Sequence, residues 1–166
     1  MEHILIPERR AELLRTLLKD MESALHCGLE IAGGNEVTIT GDAYDEYNAK
    51  NVLQAFGRGF ELQKAYKLLD EKYFFKSVNM KDFLKNGEQI RRIKARIIGS
   101  NGKTKLYMEE LSGADISVYG NTVSMIGTIE QLGIASAALQ VLLEGGTHKK
   151  AYNIMERMRR KLSEAA

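Results

Sequence analysis

The chain has 166 residues, 44% of them apolar and 28% charged, a composition that suits one or two folded domains and excludes a disordered polar tract. No apolar run nears the ~18 residues of a membrane-spanning helix, and the start, Met1 to Pro7, lacks the basic stretch and apolar core of a signal peptide. The single cysteine, Cys27, excludes an internal disulfide, and with three scattered histidines no metal cluster is expected; a reducing, cytoplasmic setting is the expectation.

In chain order, residues 2–6 read as a strand, and the stretch 8–27 as helical. There Leu13, Leu14, Leu17, Leu18, Met21 and Leu25 form one apolar pattern. Residues 28–32 and 36–40 alternate as strands, followed by helices over 43–57 and 61–72. The aromatic and β-branched run Tyr73–Val78 opens a second series as a strand. Residues 88–98 are predicted helical from Ile90, Ile93 and Ile97 at spacings of three and four. Gly99 and Gly102 break the chain, and residues 103–112 form another helix, with Leu106 and Leu111 expected inward and Gly113 as its stop. Asp115–Tyr119 alternates as a strand, Gly120-Asn121 is a turn, and Thr122–Ile126 is the partner strand. A helix over 129–143 carries small residues Ala135, Ala137 and Ala138, and a last helix covers roughly 148–164.

The two series are copies of one unit. At an offset of 86, Gln63–Leu69 falls on Lys149–Met155, and Val37–Gly41 on Val123–Gly127. With a one-residue slip, Gly28–Ile31 falls on Gly113–Ile116. The predicted fold class is α+β, each copy a three-stranded sheet covered by helices on one face. The expected domains are residues 1–72 and 73–166.

A net charge of +2 hides a segregation. Residues 88–107 carry Arg91, Arg92, Lys94, Arg96, Lys103 and Lys105 against Glu88 alone. Residues 147–166 carry six bases against Glu156 and Glu164, whereas residues 1–87 hold 12 bases and 14 acids. Localised positive charge is the footprint of a polyanion partner, although solvation of helix faces accounts for either block alone.

The chemistry concentrates at Gly99-Ser100-Asn101-Gly102. Two glycines let the backbone turn tightly and approach a ligand, and the following helix offers unpaired N–H groups to a phosphate. Lys103 and Lys105 add charge. Gly102-Lys103-Thr104 looks like the end of a nucleotide-binding P-loop, but the first glycine of that motif would stand at Ile97, and a basic helix precedes the loop where a buried strand is required. The competing reading is the KH loop, helix-GxxG-helix, which clamps about four single-stranded nucleotides. In that reading the loop and Lys103 hold phosphates, with Arg92 and Arg96 at the rim of a base groove. Ile98 and Val118 form its apolar floor, or else belong to the core. In the first copy, alignment on Gly28 places Leu14-Arg15-Thr16-Leu17 at the loop, with no glycine to turn the chain. Arg9, Arg10 and Arg15 there read as solvated surface, with residual RNA contact as the alternative.

The stretch Arg92–Thr104, with Ile116–Val123 and Ile126-Gly127, resembles the archaeal branch of the Pno/Dim/Krr ribosome-assembly proteins. The resemblance implies two tandem type I KH domains and binding near the 3′ end of small-subunit ribosomal RNA; the first copy, lacking the loop glycines, reads as a degenerate KH domain. The resemblance also implies maturation beside the Nob endonuclease and contact with the α subunit of translation initiation factor two. The leading expectation is a non-catalytic RNA-binding assembly factor. The alternative is a protein-interaction scaffold or translation-factor-binding module with little RNA affinity. No Ser/His/Asp set or paired-carboxylate motif suggests an enzyme, and no cofactor or metal is expected.

Overall fold

The computed structural model describes residues 1–166. The chain divides into two compact units, Met1–Glu71 and Lys72–Ala166. No helix is long and apolar enough to cross a membrane.

The first unit runs β1 (Glu2–Leu5), α1 (Glu8–Leu25), β2 (Gly28–Ala32), β3 (Glu36–Thr40), α2 (Ala43–Gly57) and a short α3 (Leu62–Ala65) that tightens into a 3-10 turn. Its antiparallel sheet has the order β1-β3-β2. Pro7 starts α1 with the fixed φ that suits a helix entry. Ala11, Leu14, Met21 and Leu25 then line one face and are buried. Leu13, expected in that face, is 43% exposed. It stands about 100° round the helix from Leu14, outside the buried stripe. Cys27 is buried, and that burial, with Asp45, Glu46 and Asp42 near it, pushes its thiol pKa up.

The second unit runs β4 (Phe74–Asn79), α4 (Gly87–Ile98), α5 (Lys103–Ser112), β5 (Asp115–Tyr119), β6 (Thr122–Gly127), α6 (Ile129–Leu143) and α7 (His148–Ala165). Its sheet repeats the order, β4-β6-β5. Helices pack on the face carrying Ile116, Val123 and Met125, where Ile90, Ile93, Ile97, Met108, Ala135 and Leu142 complete the core. Each buried isoleucine of α4 contributes about 1.5–3 kcal/mol. The opposite face carries the row Ser77, Ser124 and Ser117, with Ser77 and Ser124 hydroxyls 3.1 Å apart. The helix starts are capped by side chains: Asn86 accepts from the Gln89 N–H, and Thr128 and Gln131 form a reciprocal box. In α5 the buried residues are Thr104, Met108 and Ser112. Leu111 is half-buried, but Leu106 is 55% exposed, so the expectation of an inward Leu106 is corrected. Thr104 and Met108, four apart, define the inner face, and Leu106 lies midway between them on the outer one.

Strand register fixes how the copies correspond. Val37 and Val123 hold equal places in the central strands; their partners Ile4 and Val78 are offset by 74 residues. Ile39 and Met125 likewise pair with Leu29 and Ile116, offset by 87. Between its first and second strands the first copy is therefore 13 residues shorter. This corrects the alignment of Gly28 on Gly113: the first hairpin loop, Gly33-Gly34-Asn35, is one residue longer than Gly120-Asn121, and sequence comparison absorbed that difference in the wrong direction. Helix α1 runs unbroken where the second copy has helix, loop and helix.

Candidate nucleic-acid interface

The loop follows from its residues. Helix α4 ends where Gly99 takes φ 77°, donating its N–H to the Ala95 carbonyl at 2.8 Å. Asn101 and Gly102 also adopt positive φ, 57° and 74°. Asn101 and Gly102 thus sit in the left-handed region, which costs an ordinary L-residue about 1–2 kcal/mol, and Gly99, at ψ 173°, in one essentially restricted to glycine. A Cβ on Gly99 would lie 2.2 Å from the Thr104 hydroxyl oxygen, whereas one on Gly102 meets nothing within 4 Å. Gly99 is needed for close packing and φ; Gly102 is needed for φ alone. Ser100 and Asn101 are exposed at the tip, and Gly102 is half-buried. Lys103, exposed and without an ion pair, opens α5, whose first turn presents the positive end of the helix dipole.

The remaining predicted residues separate. Arg92 is exposed on α4 and has no ion pair. Ile98 is half-buried and stands outside the core cluster, while Val118 is half-buried and packs against it. Arg96 is tied down: its Nη2 donates to the Gly146 carbonyl at 2.7 Å. The first unit holds the same latch, with Arg10 Nη2 donating to the Phe60 carbonyl at 2.8 Å, and both members are offset by 86. Arg10 Nε also donates to the Phe56 carbonyl, and its guanidinium lies 4.2 Å over the Phe56 ring. Arg10 is therefore not the solvated arginine expected, and Arg96 holds a helix end rather than standing free at the groove rim. A repeat-wide arginine at equal positions was a signal available in the sequence.

Lys105 is half-buried, and its Nζ lies 3.2 Å from Glu109 Oε1. The charge expected to stand beside Lys103 is paired instead. Such a pair one helical turn apart is worth only about 0.2–0.5 kcal/mol. The other oxygen, Glu109 Oε2, accepts the Ile116 N–H at 3.0 Å, and a hydrogen bond to a charged group is worth about 1.5–3 kcal/mol. Glu109 is the fixed partner and Lys105 the one that can turn to a ligand. Sequence reasoning passed over Glu109. Its counterpart is Glu22, whose Oε1 accepts the Leu29 N–H at 2.8 Å, again seven residues on.

Lys103 and Arg92 are exposed on α5 and α4, and β5, which carries Val118, is an edge strand of its sheet. No three His, Cys, Asp or Glu side chains are grouped to hold a metal.

Comparison with known proteins agrees in one direction. A family model described as a eukaryotic-type KH domain (KH-domain type I), the second of the Pno1 kind, matches residues 74–160. The KH domain-containing protein MJ0443 of Methanocaldococcus jannaschii is 37% identical over 99% of this chain and 76% of its own length. The pre-rRNA-processing protein pno1 of Aspergillus fumigatus is 30% identical over 69% of this chain, and the match spans 47% of that protein. Among solved structures, Dim2p of Pyrococcus horikoshii superposes with a TM-score of 0.86 at 33% identity, covering 94% of this chain and 98% of Dim2p. The same organism's a/eIF2α–aDim2p–rRNA complex contains a chain that superposes at 0.88 with 32% identity, covering 96% of this chain and 94% of that one.

Proposed function

Since the chain belongs to the Pno1 type of KH-domain proteins, we propose that it is a non-catalytic RNA-binding protein of small-subunit ribosome assembly. Its second unit clamps single-stranded rRNA, near the 3′ end, at Gly99–Gly102. The observation that carries this reading is the loop: two glycines and Asn101 at positive φ between two helices, followed by an unpaired lysine. Its residues offer a phosphate hydrogen-bond donors and positive charge. The loop backbone and Lys103 take phosphates. Bases enter the groove over Ile98 toward the β5 edge at Val118, which turns its N–H to the same side as Ile116.

The first unit is read as a KH derivative. It keeps the sheet order, the latch arginine and the edge-capping glutamate, but loses the loop. The likeness to a Dim2p solved with a/eIF2α and rRNA supports the α subunit of initiation factor two and small-subunit rRNA as partners. A Nob-type endonuclease is the third partner implied. A second reading, a translation-factor-binding module with little RNA affinity, is favoured by the unbroken α1 and the acidic excess of the first half.

The deciding variant replaces Ser100 and Asn101 with Asp. Both side chains are exposed, so the fold is kept while two negative charges enter the clamp. Wild type is expected to bind rRNA-derived single strands at submicromolar concentration, weakening steeply with salt, and the variant to lose binding. Unchanged affinity in the variant would sink the site; no affinity in either chain would favour the second reading.

A further inference from the structure

We propose that α7 is a second phosphate-binding surface, along which the part of the RNA flanking the clamped nucleotides runs. The inference rests on the loop reading and extends it.

Helix α7 begins beside the loop. His148 Nε2 lies 2.9 Å from the Arg96 carbonyl, which can only accept, so the ring donates. Together with the Arg96–Gly146 bond, this fastens the α6–α7 turn to the last turn of α4, three residues before Gly99. Lys149 and Lys150 follow at once, both exposed. The helix buries Ala151 and Met155 and shows its other side to solvent.

That other side is basic and left unneutralised. At 100° per residue, Lys149, Lys150, Arg157, Arg160 and Lys161 fall within an arc of about 120° opposite the buried face. Arg159 lies about 80° outside that arc, toward Met155. All six are exposed, and none has an ion pair. Glu156, one turn before Arg160, instead takes the Tyr107 hydroxyl at 3.2 Å. Glu164, in the last turn, is the one acid within the arc. Arg157 and Lys161 stand one turn apart, a like-charge arrangement that destabilises a helix by a few tenths of a kcal/mol. A helix selected only for packing would gain by alternating signs. Here five of the six charges within the arc are positive, an arrangement that a polyanion rewards.

The copies supply an internal control. The counterpart of α7 in the first unit is the short α3 and its 3-10 turn, where Lys64 and Lys67 are balanced by Glu61 and Asp70. The copy with the loop has the long basic helix, and the copy without the loop has neither. From Lys149 to Lys161 the arc extends about 18 Å at 1.5 Å per residue, the length of about five stacked nucleotides. A lipid surface fits less well, because α7 turns Ala151 and Met155 of its apolar face into the unit and leaves Leu162 as its one exposed large apolar side chain.

The test uses the full chain and two single-stranded RNAs from the 3′ region of small-subunit rRNA. One has about four nucleotides, enough for the clamp, and the other about twelve. Binding is followed by fluorescence anisotropy across salt concentrations. Wild type is expected to bind the longer RNA more tightly and with a steeper salt dependence. Replacing Arg157, Arg160 and Lys161 together by Gln should weaken the longer RNA about tenfold and flatten its log–log salt slope by about 2, at ~0.7 per lost phosphate contact. Binding of the shorter RNA should stay unchanged. An unaltered slope for the longer RNA in a variant with native circular dichroism overturns the proposal. So does equal weakening with both RNAs. If wild type binds the longer RNA through α7 and the shorter not at all, the loop reading falls and α7 stands.

Discussion

The two units build the same sheet and differ in what joins its first strand to its second. In the first unit that connection is one 18-residue helix; in the second it is α4, a four-residue loop and α5. Elements needed for stability survive in both copies: the strand order, the arginine latch at Arg10 and Arg96, and the glutamate at Glu22 and Glu109. Elements with no structural return are present once. The loop keeps three residues at positive φ, each at a cost of conformational strain or freedom, and contributes no buried side chain. A fold does not maintain such a segment for packing, and the first unit shows that the sheet stands without it.

The contrast breaks most readily at the glycines. Gly99→Ala forces a Cβ into Thr104 at a positive φ, and should destabilise the second unit by about 2–4 kcal/mol. Gly102→Ala meets open space and should cost about 1–2 kcal/mol. Chemical denaturation of the two variants measures the gap, and equal losses would show that the Thr104 contact does not matter.

A narrower comparison separates the two arginines. Arg10→Ala removes two bonds to carbonyls and the contact with Phe56, and should cost the first unit about 2–3 kcal/mol. Arg96→Ala removes one such bond and should cost about 1–2 kcal/mol. RNA salt dependence distinguishes the remaining possibility for Arg96. A flattening of the slope by about 0.7 on its removal would add it to the phosphate contacts, and an unchanged slope leaves it a latch.

The smallest effect is expected where the loop position falls in the first unit. Leu13 and Arg15 are exposed there, so Leu13→Asp with Arg15→Asp should shift stability by no more than about 0.5 kcal/mol. RNA affinity should not change in a binding titration. A marked loss of affinity would mean that the first unit shares in the grip.

The loop and the elements around it were legible because their signals are local. Paired glycines, apolar spacing and a basic run mark Ile90–Lys103 without knowledge of the fold. Facing was less legible. Leu13 and Leu106 are apolar and helical, yet exposed, because the partner surface rather than the residue decides which stripe is buried. Pairing was less legible still. Lys105 and Arg96 read as free cations until Glu109 and the Gly146 carbonyl are brought to them by the chain's return. The offset between copies changes from 74 to 86 to 87 along the chain, and only strand register reveals the 13-residue shortening behind it.

The glutamates at Glu22 and Glu109 have a consequence beyond their own units. Strands β2 and β5 are sheet edges, and an open edge invites a strand from another chain to add to it. Each carboxylate occupies an outward N–H near the start of its strand, Leu29 in one unit and Ile116 in the other. A neighbouring chain arriving there would meet an occupied donor and a negative charge in place of a free ladder rung. The same side chain thus guards the β2 and β5 edges against strand addition from another chain, and confines strand-like pairing on β5 to its Val118 end.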